Sequence, residues 1–139
     1  MHFSKKSLKL MGAAIGVMML GTVVAGCGSD DSGDTIKVGA SFEITGNQAN
    51  YGSAGYDGLK LAIKQANDAG GINGKKIELV EADTKSEASE AVNAATKLIS
   101  DDHVKVIVGP MVTANVMAES QTANDEKVPV IAPAGTNPD

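Results

Sequence analysis

The chain has 139 residues, of which 42% are hydrophobic, so it is long enough for one ordinary domain with a core but not for two. Aromatic residues make up only 3%, and the core must therefore be built mainly from aliphatic side chains. The formal net charge of −5 argues against a nucleic acid as partner, because phosphate binding requires a clustered basic face.

The N-terminus has the pattern of an export signal. Three lysines precede an apolar stretch over residues 10–25, which is short for a membrane span. Small residues then lead to Cys27, and this junction resembles the bacterial lipobox, which implies cleavage before Cys27 and lipid attachment to its thiol. We predict a lipoprotein signal peptide over 1–26 and a flexible tether over 27–34. The alternative is a plain signal peptide or an uncleaved anchor, with Cys27 incidental.

The remaining residues, 35–139, are predicted to form the folded part of the chain. Their hydrophobic pattern alternates between strand and helix periods, with turn residues such as Gly70-Gly71 and Gly109-Pro110 between them. The predicted strands span residues 35–42, 76–82, 104–109 and 128–132, and the predicted helices span 51–69, 87–100 and 113–125. This order predicts an α/β fold with a doubly wound parallel sheet and right-handed crossovers.

Polar ligands of open α/β proteins bind at the carboxyl edge of the sheet, so the loops there are the candidate site. Thr113 and Thr136 follow neighbouring predicted strands, and each hydroxyl can donate and accept hydrogen bonds. The turn before Thr113 should also offer free backbone N–H groups at a helix N-terminus. Taken singly, Thr113 is explained as a helix cap, Thr136 as a turn residue and Tyr51 as a residue that starts a helix.

Other chemistries find no support in the sequence. Gly52, Gly55 and Gly58 do not match a dinucleotide-binding pattern, and they are better explained by close packing of a helix or by close approach of a ligand. One histidine, His103, lies outside the export signal, which argues against a metal cluster or a Cys/His catalytic pair. We therefore predict no enzyme activity, no cofactor and no metal site. Asp83, with Thr84 and Ser86, is expected to cap the second helix.

Several segments together resemble the Leu/Ile/Val-type amino-acid-binding proteins of ABC importers. The most specific are Gly70-Gly71-Ile72-Asn73-Gly74 and Thr136-Asn137-Pro138, and Val106-Ile107-Val108-Gly109-Pro110 lies between them in the family's order. The resemblance covers the whole chain after the tether. It implies a type I periplasmic-binding-protein fold, of which this chain would be the first part of one lobe of two.

The resemblance also implies roles for individual residues. Thr113 would hold the carboxylate of the ligand, and Ala134 and Thr136 would meet its ammonium group, while Tyr51 would cover the ligand. Some relatives join the second loop to the third turn by a disulfide. Cys27 is the only cysteine here, so we expect these loops to be held by packing alone.

The function implied is capture of branched-chain or related amino acids outside the cell membrane and delivery to an ABC permease, with Cys27 as lipid anchor. The alternative is a sensing module of the same fold for amino acids, amides or urea. Family members close two lobes around the ligand. Because this chain ends inside the first lobe, we expect a truncated or partial product, and weak or no amino-acid affinity if the chain truly ends at Asp139.

Overall fold

A computed structural model describes residues 35–136 as a parallel sheet with helices on both faces. The predicted signal peptide, the tether with Cys27, and the last three residues lie outside the described residues. The elements in chain order are β1 Thr35–Phe42, α1 Ala49–Asp68, β2 Lys76–Asp83, α2 Ala88–Ser100, β3 Val106–Val108, α3 Thr113–Asp125 and β4 Val130–Ile131. The strand order is β2-β1-β3-β4, and every pair is parallel, which confirms the predicted fold class.

The pleat of β1 divides the core into two faces. Val38, Ala40 and Phe42 are buried on the face that meets α1, where the Phe42 and Tyr56 rings lie 5.7 Å apart between centroids. Gly39 and Ser41 point to the opposite face, which α2 and α3 cover. The two helices must lie on this face because the chain moves from β2 across β1 to β3 and then to β4.

The core against α2 is aliphatic. Its fully buried centre is Leu98, which packs with Ile107 and Val104. A Cβ at Gly39 would lie 3.1 Å from the Leu98 side chain, so the absence of a side chain there lets α2 lie close to the sheet. Along α2, Ala91, Ala95 and Leu98 are buried, whereas Val92 and Ile99 are only partly covered.

Two strands are shorter than predicted, because residues expected in them close the preceding helix. The Val104 N–H donates to the Leu98 carbonyl at 3.1 Å, and β3 begins only at Val106. The Val128 N–H donates to the Ala123 carbonyl at 2.9 Å, and β4 begins only at Val130. A backbone N–H that closes a helix is not available for a sheet ladder.

The predicted turn between α1 and β2 is confirmed. Gly70 and Gly71 have φ values of +109° and +79°, a region that non-glycine residues rarely adopt, and the helix ends just before them. Asn73 and Gly74 also have positive φ, and Ile72 and Lys75 exchange backbone hydrogen bonds across them. This is the geometry of a tight two-residue turn.

Within residues 35–136, none of the helices combines the length and apolar character that a membrane crossing requires.

Candidate functional site

The two predicted ligand-contacting threonines meet at the carboxyl edge of the sheet. The Thr136 N–H donates to Thr113 Oγ1 at 3.3 Å, and this bond joins the start of α3 to the loop after β4. Thr113 is half-buried and Thr136 is exposed. The loops after β3 and β4, which follow neighbouring strands as predicted, therefore meet at this edge of the sheet.

Thr113 is not the cap of α3. The N-cap residue is Val112, and no side chain caps the helix at that position, whereas Thr113 is the first helical residue. Its hydroxyl is engaged with the next loop instead. The explanation of Thr113 as a helix cap is therefore wrong.

The other two predicted site residues lie in the loop after β4 and at the start of α1. Ala134 is half-buried and lies two residues before Thr136 in the loop after β4. Tyr51 lies in the first turn of α1, where its backbone N–H donates to the Gln48 carbonyl and its side chain is 48% exposed. Among the described residues, no hydrogen bond or ring contact joins Tyr51 to Thr113 or Thr136, and its role as a cover for the ligand stays a prediction.

The sequence analysis did not identify the carboxylate that binds the turn before α3. Glu43, directly after β1, is fully buried. Its Oε2 accepts the Met111 N–H at 3.1 Å, and its Oε1 accepts the Val112 N–H at 3.2 Å and the Asn115 side-chain amide at 2.8 Å. The expectation that the amides of this turn are free is therefore wrong for Met111 and Val112.

The second loop is tied to the third turn by hydrogen bonds as well as by packing. Asn115 Nδ2 lies 3.4 Å from the buried Thr84 hydroxyl, in addition to its bond to Glu43. The Thr84 N–H donates to the Phe42 carbonyl at 2.9 Å. The expectation that packing alone holds these loops is wrong. Hydrogen bonds of Asn115, in the first turn of α3, link it to Glu43 of the first loop and to Thr84 of the second loop.

Asp83 joins the first two loops and does not cap α2. It accepts hydrogen bonds from the Ile44 N–H and from the N–H and hydroxyl of Thr45, and also from the Lys85 N–H. Ser86 binds the first loop too, accepting the Gln48 N–H at 3.0 Å. Partial burial raises the pKa of Asp83, but the Thr45, Lys85 and Ile44 hydrogen bonds outweigh it and hold this pKa below its ordinary value.

A second buried carboxyl group lies between α3 and β1. Glu119 of α3 is fully buried, and the Ser41 hydroxyl donates to its Oε2. Its Oε1 has no hydrogen-bond partner among the described residues. Burial is the main cause that raises the pKa of Glu119 to about 8; the Ser41 hydrogen bond lowers it, and the nearby Glu43 raises it further.

An open groove of about 530 Å³ runs along α3 beside the loop after β4. Among the predicted site residues that the structure describes, Thr113 alone lines it. The other lining residues are Val116, Met117, Ser120, Gln121, Asn124, Ala132 and Gly135. The groove therefore touches the Thr113 end of the candidate site and does not include Tyr51, Ala134 or Thr136.

In the described part of the chain, no group of three or more histidine, cysteine, aspartate or glutamate side chains could hold a metal ion.

Comparison with known proteins gives a consistent result. Residues 35–139 match the family described as periplasmic binding protein. The leucine-, isoleucine-, valine-, threonine- and alanine-binding protein of Pseudomonas aeruginosa is 36% identical over 106 residues, which are 76% of this chain and 28% of that protein.

Solved structures agree with this result. The branched-chain amino acid transporter substrate binding protein of Streptococcus pneumoniae, in complex with isoleucine, superposes with a TM-score of 0.74 at 41% identity. That match covers 75% of this chain and 30% of the other. A leucine binding protein from Thermotoga maritima gives a TM-score of 0.68 at 33% identity, covering 74% of this chain and 29% of that one. This chain thus spans less than a third of the length of these relatives.

Proposed function

Because this chain belongs to the periplasmic binding protein family, we propose that it forms one wall of a binding site for branched-chain or related amino acids. The family match confirms the resemblance inferred from the sequence. The relatives are solute-binding proteins, which favours capture of a ligand over catalysis. In this proposal the protein delivers the ligand to an ABC permease; a sensing role of the same fold is the alternative.

The observation that carries the proposal is the contact between Thr113 and the loop of Thr136. It brings a hydroxyl, a helix N-terminus and a loop carbonyl to one edge of the sheet. The amides of Thr113 and Ala114, in the first turn of α3, have no acceptor within the helix and suit a carboxylate. The Ala134 carbonyl and the Thr136 hydroxyl are acceptors for an ammonium group. Tyr51 would cover the ligand from the first loop.

Removing the Thr113 hydroxyl is expected to weaken amino-acid binding about tenfold, the effect of losing one hydrogen bond to a charged group. Thr113→Val keeps the shape of the side chain, and binding is measured by ¹⁵N–¹H spectra during titration with leucine. In the wild type, shifts should concentrate at the amides of Thr113, Ala114 and Thr136. The control is Thr96→Val, because Thr96 lies on the exposed side of α2 and its hydroxyl bonds within the helix.

Equal leucine affinity in Thr113→Val and the wild type would contradict the assignment of Thr113. Shifts confined to another part of the chain would contradict the site as a whole.

We also propose that the protein is exported and anchored by lipid on Cys27, with a signal peptide over 1–26 and a tether over 27–34. The sequence pattern supports this proposal, and the family is one of exported proteins. Protein extracted from the native membrane should have the mass of a chain that begins at Cys27 and carries lipid. Cys27→Ser should lose the lipid and Ser29→Ala should keep it. A lipid-free mass for the wild type would contradict the anchor.

A further inference from the structure

Glu43 holds the turn before α3 from inside the fold. Both oxygens of its carboxylate accept hydrogen bonds, from the Met111 and Val112 N–H groups and from the Asn115 side chain, at 2.8–3.2 Å. All three donors are N–H groups, and an ionised carboxylate, which only accepts, satisfies them without conflict. One side chain, 68 residues away from Met111 in the sequence, thus accepts three hydrogen bonds from the turn and the start of α3.

Glu43 is itself fixed by its surroundings. It follows β1 directly and is fully buried, and α1 lies against its backbone at Gly52, where a Cβ would fall 2.7 Å from the Glu43 carbonyl carbon. The Asn115 amide that it holds also approaches the Thr84 hydroxyl of the second loop. A buried acceptor with fixed donors on several elements has little freedom to move.

The bonds to Glu43 divide the N–H groups at the start of α3 into two sets. Met111 and Val112 point their N–H groups inward to Glu43. Thr113 and Ala114 are the next residues, and their N–H groups precede the first intrahelical hydrogen bond. Ala114 is exposed, whereas Asn115 is buried. Holding Met111 and Val112 in place therefore also holds the residues that follow them directly, Thr113 and Ala114.

We propose that Glu43 is a positioning residue of the amino-acid site: it anchors Met111 and Val112 so that the Thr113 hydroxyl and the Thr113 and Ala114 amides are held ready for the ligand carboxylate. This inference rests on the proposed function. Glu43 does not touch the ligand in this account. Glu43 acts by restricting the conformations of the turn before the ligand arrives. Binding then does not bear the entropic cost of ordering the turn.

The test compares Glu43→Gln with Glu78→Gln, which removes the same charge from an exposed position of β2. A glutamine at position 43 presents an NH₂ group to a pocket of N–H donors, so at least one of the three bonds must break. We expect faster hydrogen exchange at the Met111 and Val112 amides in Glu43→Gln, and leucine binding weakened by at least about tenfold. Glu78→Gln should change neither quantity.

A double-mutant cycle separates positioning from a general loss of stability. If Glu43 acts through Thr113, the effects of Glu43→Gln and Thr113→Val on leucine affinity should be strongly non-additive. Additive effects, or unchanged affinity with faster exchange at Met111 and Val112, would overturn the positioning role. If the wild type does not bind leucine at all, the proposed function fails, while the exchange data still report whether Glu43 holds the turn.

If Glu43→Gln does not fold, the wild type still provides a test. Scalar couplings across hydrogen bonds, from the Met111 and Val112 amide nitrogens to the Glu43 carboxyl carbon, should be detectable, and leucine should leave these two amides protected while it shifts those of Thr113 and Ala114. Loss of protection at Met111 or Val112 in the leucine complex would overturn the proposal, because the anchor would then not be present in the bound state.

Discussion

Replacing Gly52 by alanine is expected to destabilise the fold by about 3 kcal/mol or more, because the new methyl group has no space. A Cβ at this position would lie 2.7 Å from both the carbonyl carbon and the Cβ of Glu43, and closer still to the carbonyl oxygen. Two of these atoms belong to the backbone, which cannot move aside by a rotamer change. Either α1 or the end of β1 would have to shift, and the Glu43 network with it.

The same helix contains two matched controls. At Gly58 a Cβ would meet nothing within 4 Å, so Gly58→Ala should stabilise the fold by about 0.5–1 kcal/mol through helix propensity. At Gly55 a Cβ would meet the Met111 sulfur at 2.7 Å, a flexible side chain that can move, so Gly55→Ala should fall between the two. Urea unfolding followed by far-UV circular dichroism measures this order. Equal effects at Gly52 and Gly58 would contradict the packing described.

The free energy of unfolding is expected to fall as the pH rises from about 4.5 to about 8. The folded chain holds a proton on Glu119 up to the raised pKa of about 8, whereas the unfolded chain releases it near the ordinary value of 4.5. In this window the folded state binds more protons, so the slope of stability against pH is negative and approaches about 1.4 kcal/mol per pH unit. Ser41 and Glu43 are the polar groups that act on this carboxyl.

Glu119→Gln should flatten the slope, because glutamine resembles the protonated acid and does not titrate. Glu126→Gln, at an exposed position after α3, should leave it unchanged. At lower pH, Asp83 gives the opposite trend. Because its pKa is lowered in the folded chain, the stability that Asp83 contributes is lost as the pH falls through that folded-state pKa. Urea unfolding between pH 3 and 8.5 measures both trends; stability that is constant or rises between pH 5 and 8 would contradict the assignment of Glu119.

Local signals predicted the fold well, because its elements are marked in the sequence. The bounds predicted for β1 and α3 agree with the structure, and the glycine pair after α1 ends that helix as expected. The bounds of β3 and β4 were too long at their N-terminal ends. Apolar residues such as Val104 and Val128 fit a strand pattern, but whether their N–H groups close a helix depends on tertiary geometry.

The buried carboxyl groups could not be predicted in the same way. Glutamate is usually exposed, and no residue near Glu43 or Glu119 in the sequence indicates the hydrogen-bond partner of either carboxyl group. Ser41 lies 78 residues from Glu119 along the chain. One signal was present in the sequence: Asn115, Glu119 and Ala123 recur every four residues and therefore lie on one face of α3. The structure buries this face, whereas Met117 on the same helix is 52% exposed. A helix with polar residues on its buried face indicates an internal hydrogen-bond network.

The central claim is that the carboxyl edge of this sheet binds an amino acid between the start of α3 and the loop after β4. Intermolecular NOEs between ¹³C-labelled leucine and the protein amides test it most directly. The account predicts NOEs from the leucine Hα to the Thr113 or Ala114 amide and to the Thr136 amide. NOEs found only elsewhere in the chain, or none under conditions where leucine shifts the protein spectrum, would contradict it.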